Sequence, residues 1–276
     1  MSTASQSGTA GQHFTAETPD GAVLHVTSEG QGPTLLLVSG LGGTAGFWKC
    51  NAATLARSFR VIRFDQRGIG ASTRGTAACT IDQLAQDCLS VLDAAGADRT
   101  VLLGHSTGGC IGQALGRLAP ERLDGLILSA TWLKPSRYMT SLFGTRRAIL
   151  DENPHAYAAT AALMAYPPAW IEANWGTYEA ALTSAPVTAQ ARQVVRERID
   201  ALMSFDGSAS TASLMMPLLI LGARDDMIVP AFLQEELAAA LPGSRKTMLD
   251  TGGHFFPVSR PDAFTANVAE WIGELG

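Results

Sequence analysis

The chain has no apolar run that approaches the roughly 20 residues needed to cross a bilayer, which excludes a membrane-spanning helix. Met1 to Gln12 are polar, small and uncharged and lack the apolar centre of a signal peptide, so this segment is expected to be a mobile tail. Cysteine is scarce. Cys50, Cys79, Cys88 and Cys110 form no C-x-x-C pair and stand near no histidine at zinc spacing. That pattern excludes a disulfide scaffold and a cysteine-based metal site, and describes reduced thiols in a cytoplasmic protein. Positive charge is also short: 20 Lys and Arg face 25 Asp and Glu, for a net charge of −5. Without a basic footprint, nucleic acid is excluded as a partner. Charged residues make up only 16% of the chain against 46% hydrophobic, a balance that excludes disorder and describes a well-buried globular protein.

What is present is an alternation of short apolar runs and helical patterns over 276 residues, long enough for one large α/β domain or two small ones. Phe14 to Glu17 and Ala22 to Ser28 read as strands joined by the turn Pro19-Asp20-Gly21. Thr34 to Val38, Arg60 to Phe64, Thr100 to Leu103, Leu123 to Ala130, Leu218 to Leu221 and Lys246 to Leu249 read as further strands, several apolar along their whole length. Helical patterns separate most of them, such as Ile81 to Ala95 with Leu84, Cys88, Val91 and Leu92 on one face. Fully apolar strands alternating with helices imply a parallel sheet covered on both faces. The rhythm breaks between Trp132 and about Ala212. This stretch is helical in pattern and holds nine of the nineteen aromatic residues. An insertion of that size between two strands should lie over one sheet edge as a cap. The domain reading is therefore a tail at 1–12, a core at 13–131 and 213–276, and a helical cap at 132–212.

The stretch that carries chemistry is Gly104-His105-Ser106-Thr107-Gly108, between the strand ending at Leu103 and a helical run from Ile111 to Leu118. A serine flanked at two positions on each side by glycine, on a strand-to-helix turn, fits the pattern G-x-S-x-G. The turn forces the serine backbone into strain, and the two glycines remove the side chains that would keep strand and helix apart. The hydroxyl is then held out at the sheet edge beside the N–H of Thr107.

A serine needs a base to become a nucleophile, and the base needs an acid to orient it. Five histidines allow elimination. His13 lies in the tail and His25 within an early strand; the turn should point His105 away from Ser106, into packing, and His155 suits a surface or helix-capping position in the insertion. His254 follows the last strand in Thr251-Gly252-Gly253-His254, where the glycines let the loop fold back over the sheet edge. The acid should follow the strand at Leu218 to Leu221, where two adjacent aspartates stand. Counting from Gly222, if that glycine closes the strand, favours Asp225; counting from the flanking Pro217 and Pro230 favours Asp226. Only one can reach the imidazole, because neighbours on an extended segment point to opposite sides. Asp226 is taken as the acid, with Asp225 as the alternative. The oxyanion formed by attack on a carbonyl needs two preorganised donors. One is the N–H of Thr107, and the loop Ser39-Gly40-Leu41-Gly42-Gly43 offers the N–H of Leu41 as the second. Asp65-Gln66-Arg67-Gly68 is read as a brace between loops.

The order Ser106, Asp226, His254, with a helical insertion ahead of the acid, resembles the α/β-hydrolase fold family. The resemblance covers nearly all the chain after residue 13. It implies a mostly parallel eight-stranded sheet with helices on both faces and a cap inserted after the sixth strand. Within that family, Ser-Gly-Leu-Gly-Gly, Asp-Gln-Arg-Gly-Ile-Gly, Arg-Asp-Asp-Met-Ile-Val-Pro, Gly-Gly-His and the cap piece Tyr166-Pro167-Pro168-Ala169-Trp170 are similar to the aminoacrylate hydrolases of bacterial pyrimidine breakdown. The enol-lactonases of aromatic-acid degradation are a more distant likeness. Not all members of the aminoacrylate group keep a serine at the nucleophile position; its presence here favours acyl transfer through a covalent serine. Ser39 stands where the wider family commonly has histidine.

Together these readings imply a serine hydrolase that uses no cofactor and no metal, acting on a small-molecule ester, lactone or activated C–N acyl bond as a monomer or homodimer. Trp132, Tyr138, Phe143, Tyr166, Trp170 and Trp175 are expected to line an apolar roof. Arg146 and Arg147, with Arg137 nearby, are candidates to hold a substrate carboxylate. The alternatives keep the fold and change the chemistry, to C–C hydrolysis, perhydrolysis or cofactor-free oxygenation, or reduce it to a small-molecule receptor.

Overall fold

The computed structural model describes residues 11–209 and 211–275. Residues 1–10 of the expected tail lie outside that range. Strand β1 (Gln12–Glu17) pairs antiparallel with β2 (Val23–Glu29). Gln12 and His13 are paired with Ser28 and Thr27 in this ladder, so both belong to the sheet and not to a tail. Polar side chains hid the strand start, because Gln12 and His13 are exposed and stand ahead of the alternating Phe14 and Ala16. The chain continues through β3 (Thr34–Val38), α1 (Lys49–Leu55), β4 (Arg60–Phe64), α2 (Ile81–Ala94), β5 (Thr100–His105), α3 (Thr107–Leu118) and β6 (Leu123–Ser129). Five helices follow before the sheet resumes: α4 (Arg137–Glu152), α5 (Pro154–Ala165), α6 (Pro168–Ala173), α7 (Trp175–Thr183) and α8 (Ala189–Met203). The end of the chain holds β7 (Leu218–Ala223), α9 (Ala231–Ala240), β8 (Arg245–Leu249), α10 (Phe256–Ser259) and α11 (Pro261–Gly273).

The eight strands form one sheet in the order β1-β2-β4-β3-β5-β6-β7-β8, parallel from β4 to β8 and antiparallel at the β1 and β2 end. The continuous apolar runs are explained by burial on both faces. In β3, Leu36 and Val38 pack on one side with α2 and α3 residues such as Cys88 and Ile111, while Leu35 and Leu37 pack on the other with Trp48, Phe264 and Trp271. The alternation is the pleat itself: successive side chains on a strand point to opposite faces. Because β3, β5, β7 and β8 are parallel, the loops that leave them open on the same edge of the sheet.

The helices α4 to α8 reach those loops. The backbone N–H of Phe255, next to His254, donates to Ala165 at the end of α5 (2.9 Å), and the Tyr138 hydroxyl on α4 donates to the Met227 carbonyl. Among the described residues no helix is long and apolar enough to cross a membrane.

Candidate active site

Ser106 is the residue between β5 and α3, with φ 57° and ψ −122°, one of two non-glycine residues with positive φ among those described. A left-handed backbone of this kind is strained for a side chain, and it persists only where the surroundings impose it. Here they do. A Cβ at Gly104 would lie 2.1 Å from the Gly108 carbonyl oxygen, and one at Gly108 would lie 2.1 Å from the Val38 carbonyl oxygen. The elbow closes only because both positions lack side chains. Ser106 occupies the N-cap of α3, yet its side chain makes no capping bond. A serine at that position usually accepts a backbone N–H of the first helical turn through its hydroxyl oxygen; this one makes no such bond. The helix itself starts at Thr107, four residues before the sequence pattern suggests, so the Thr107 N–H stands in the first turn, where amides have no intrahelical acceptor.

His254 and Asp226 meet on the same edge of the sheet. The Nδ1 of His254 lies 2.8 Å from Oδ2 of Asp226, with the histidine 3% and the aspartate 4% exposed. The other carboxylate oxygen, Oδ1, accepts the backbone N–H groups of Ile228 and Val229, both at 2.8 Å. A carboxylate with all its local donors accounted for can only accept from Nδ1–H, which leaves the Nε2 lone pair for a proton.

The choice between the two aspartates is decided by where β7 stops. Gly222 does not close the strand: it pairs with Met248 inside the ladder, and the strand runs on to Ala223. That extension carries the reach of the loop one residue further, to Asp226. Asp225 faces the other way and holds the backbone of the histidine loop. It accepts from the Thr251 hydroxyl (2.7 Å), Gly252 N–H (3.1 Å) and Gly253 N–H (2.8 Å), and these bonds hold its carboxyl below the usual range despite partial burial. Gly253 sits at φ 67°, and a Cβ there would come within 2.6 Å of the Ala165 carbonyl. The two adjacent carboxylates thus divide the work, one orienting the imidazole and the other its loop.

His105 is fully buried, with Nδ1 3.0 Å from the Ser129 hydroxyl and its ring stacked on Phe47 at 5.1 Å. Its ring centroid lies 5.0 Å from that of His254. Burial, with His254 adding a smaller repulsion, pushes His105 well below the usual imidazole range, so it is neutral packing beneath the site.

The glycine loop after β3 lies against the elbow. A Cβ on Gly40 would be 2.9 Å from Ser106 Cβ and 3.4 Å from its Oγ. Among the described residues, neither the Leu41 nor the Thr107 N–H donates to a protein acceptor, while the carbonyls of this loop are held from behind. Gln66 Nε2 donates to Ser39 O at 2.7 Å. Arg67 fastens the next turn, donating to Asp87 at 2.7 and 2.6 Å and to Asp20 at 2.9 and 3.2 Å.

The aromatic roof is only partly assembled around this centre. Tyr166 stacks on Trp170 (4.5 Å) and meets Phe255 edge-on (5.4 Å), which joins both to the histidine loop. Tyr138 bonds to Met227 beside the acid loop. Trp132 and Phe143 are enclosed in the core. Trp175 is 46% exposed and packs on Tyr178 at the surface, which corrects its expected place in the roof. Arg147 is a second correction: it is on the outer face of α4, ion-paired with Asp200. Residues i and i+1 of a helix point about 100° apart, so Arg146 turns inward where Arg147 cannot. Arg146 is 7% exposed, with its guanidinium 5.5 Å from the Phe143 ring centre and 4.7 Å from that of Tyr157. Among the described residues no group of histidine, cysteine and carboxylate side chains is arranged to hold a metal. A surface hollow of about 470 Å³ beside Ser28, Glu29 and Arg60 lies at the antiparallel end of the sheet, away from these loops.

A serine on a strained elbow, a histidine paired with a buried aspartate and a free-amide loop on one edge of a parallel sheet define a hydrolase. The chain belongs to the α/β-hydrolase fold family, whose model matches residues 33–261. It is 34% identical to a protein of Azorhizobium caulinodans that carries the name carbamate hydrolase RutD, over 92% of this chain and 96% of that one. Among solved structures it resembles a hydrolase from Pseudomonas aeruginosa, at 30% identity and a TM-score of 0.85, covering 96% of this chain and 99% of the other. It also resembles the enol-lactonase from Burkholderia xenovorans, at 25% identity and a TM-score of 0.82, covering 91% and 97%.

Proposed function

We propose that the protein is a cofactor-independent serine hydrolase that cleaves a small-molecule acyl bond, an ester, a lactone or an activated C–N bond, through an acyl-enzyme. Ser106 Oγ attacks the carbonyl carbon and its proton passes to His254 Nε2. Asp226 holds the imidazole in that tautomer and balances the imidazolium. The N–H groups of Leu41 and Thr107 receive the oxyanion. Collapse of the tetrahedral intermediate expels the leaving alcohol or amine, which takes the proton from His254; water then repeats the sequence on the acyl-serine. The observation that carries this reading is the 2.8 Å His254–Asp226 pair on the same sheet edge as a serine whose hydroxyl is withheld from helix capping. A relative named for carbamate hydrolysis and a neighbour that is an enol-lactonase support C–N and C–O acyl substrates. The protein is read as a cytoplasmic enzyme, a monomer or homodimer without nucleic-acid or membrane partners; four free thiols, at Cys50, Cys79, Cys88 and Cys110, suit a reducing compartment.

A fluorophosphonate probe tests the chemistry. The expected result is a single covalent adduct on the peptide containing Ser106, formed in step with loss of esterase activity. Unlabelled Ser106 in an enzyme that still turns over substrate would replace the acyl-enzyme reading with base-only chemistry at His254, such as cofactor-free oxygenation.

Arg146 supports a substrate that carries a carboxylate. Its Nε is buried without a partner, no carboxylate pairs with it among the described residues, and its guanidinium lies against the rings of Phe143 and Tyr157. A buried cation in that state is a receptor for an anion. Arg146→Met is expected to raise KM about 10- to 100-fold for an ester bearing a free carboxylate, as expected for losing a charged hydrogen bond of about 1.5–3 kcal/mol. Steady-state kinetics on matched neutral and anionic esters checks it: an unchanged preference between the two would remove Arg146 from recognition.

A further inference from the structure

Arg198 stands on α8, within the inserted helices, but its guanidinium ends behind the glycine loop of the site. It is 1% exposed. Nε donates to the Leu41 carbonyl at 2.8 Å, and Nη2 donates to the Gly40 carbonyl at 3.0 Å and to Gln66 Oε1 at 2.6 Å. Gln66 in turn donates from its side chain to Ser39 O (2.7 Å) and from its backbone to Gly43 O (2.8 Å). Four carbonyls of the five-residue loop are therefore held by two residues, three of them by side chains and that of Gly43 by the Gln66 backbone. Among the described residues no carboxylate neutralises Arg198, and its Nη1 has no partner. A buried arginine with no counter-ion is an expensive feature to keep, since taking such a cation out of water costs several kcal/mol. A salt bridge would be the ordinary way to offset that. This one faces backbone oxygens instead.

The geometry of the peptide bond says what that arrangement does. A trans peptide is planar, with its C=O and N–H on opposite edges, and no cis peptide occurs among the described residues. The Gly40 carbonyl and the Leu41 N–H belong to one such plane, and the Leu41 carbonyl and the Gly42 N–H to the next. Fixing both oxygens on the Arg198 side fixes both N–H groups on the opposite side. Ser106 lies against this loop, with its Cβ 2.9 Å from where a Gly40 Cβ would be. The bonds are also charge-assisted, and a cation on the oxygen of an amide polarises the plane and strengthens its N–H as a donor.

We propose that Arg198, bridged through Gln66, is a positioning residue for the oxyanion hole: it sets the direction and the donor strength of the Leu41 N–H without touching substrate. The inference rests on the serine-hydrolase reading above and adds a component that comes from the inserted helices and not from the sheet core.

The experiment compares an ester with its matching thionoester, in which sulfur replaces the carbonyl oxygen. Donors set about 2.7–3.1 Å from an oxyanion serve the larger, weaker-accepting sulfur poorly, so the wild-type enzyme is expected to prefer the ester strongly. Arg198→Met is expected to lower kcat on the ester about 100-fold, the effect of losing one oxyanion donor. KM should move less than threefold, and the thionoester rate should fall far less, so that the ester-to-thionoester ratio collapses. Arg198→Lys keeps the buried charge and one donor, and should recover about tenfold of the loss; it also supplies the ratio if Arg198→Met does not fold. Equal falls on both substrates would make Arg198 a structural support only and overturn the proposal, as would a wild-type ratio in both variants. Ser106→Ala is assayed alongside. Full ester turnover in that variant would bring down the serine reading and this inference with it, whereas a dead Ser106→Ala beside an unaffected ratio would bring down the inference alone.

Discussion

Replacing Ser106 with alanine is expected to lower kcat on p-nitrophenyl acetate by about 10⁴-fold or more while leaving the fold intact. The magnitude follows from removing the attacking atom: the steps that depend on histidine and aspartate then have no nucleophile to serve, and only binding and the oxyanion donors remain. Stability should barely change, for a reason specific to this site. The Ser106 side chain makes no capping bond to α3, so its loss orphans no helix amide. The backbone strain at φ 57° is common to serine and alanine and cancels in the comparison. Thermal unfolding of the variant should stay within about 3 °C of wild type, since a change below about 0.5 kcal/mol moves a domain of this size little. A variant that unfolds normally and still hydrolyses the ester at wild-type rates would remove Ser106 from the chemistry.

Asp226→Asn is expected to cost about 10⁴-fold in kcat, and Asp225→Asn no more than about tenfold. Both residues are aspartates in one loop, and both bond to the histidine loop, so the contrast rests on which atoms they hold. Asparagine at 226 keeps one oxygen for the N–H groups of Ile228 and Val229. Its NH₂ then faces His254 Nδ1, where a donor meets a donor. The imidazole relieves this by moving its proton to Nε2, the atom that has to accept from Ser106. The base is present and in the wrong tautomer. At 225 the partners are the Thr251 hydroxyl and two backbone N–H groups, and asparagine retains one acceptor for them. The expected loss there is in stability, roughly 1–3 kcal/mol for weakened bonds to a charged group, seen as a lower midpoint in chemical denaturation. Equal loss of kcat in the two variants would mean that the loop, and not the tautomer, controls the reaction.

The elbow was legible in the sequence because its requirement is local. Two glycines four residues apart are demanded by contacts of 2.1 Å within one strand-turn-helix, and nothing remote enters. The histidine was legible for a related reason, since Gly252 and Gly253 announce a loop that must bend sharply. The aspartate was only half legible. Its identity turned on whether Gly222 ends β7, and glycine in a strand is ambiguous until the ladder with β8 is known. The arginines show where pattern fails. Arg146 and Arg147 are neighbours of one type, and only the packing of α4 separates a buried cation from a surface ion pair. Trp175 shares the composition of the aromatic roof and lies outside it. Arg198 carried no signal at all: in Arg192-Gln193-Val194-Val195-Arg196-Glu197-Arg198 it reads as one more charge on a solvated helix.

The sequence by itself determined the fold class and the chemical order of Ser106, the acid loop and His254, because apolar periodicity and glycine placement act over a few residues and leave few ways to fold. Only the tertiary structure decided which aspartate meets the imidazole, which arginine turns inward, and that a side chain 157 positions away grips the Leu41 carbonyl. Those outcomes depend on where strands end and which helix faces are covered. Both are set by packing between elements, and the chemistry of any one residue does not reveal them in advance.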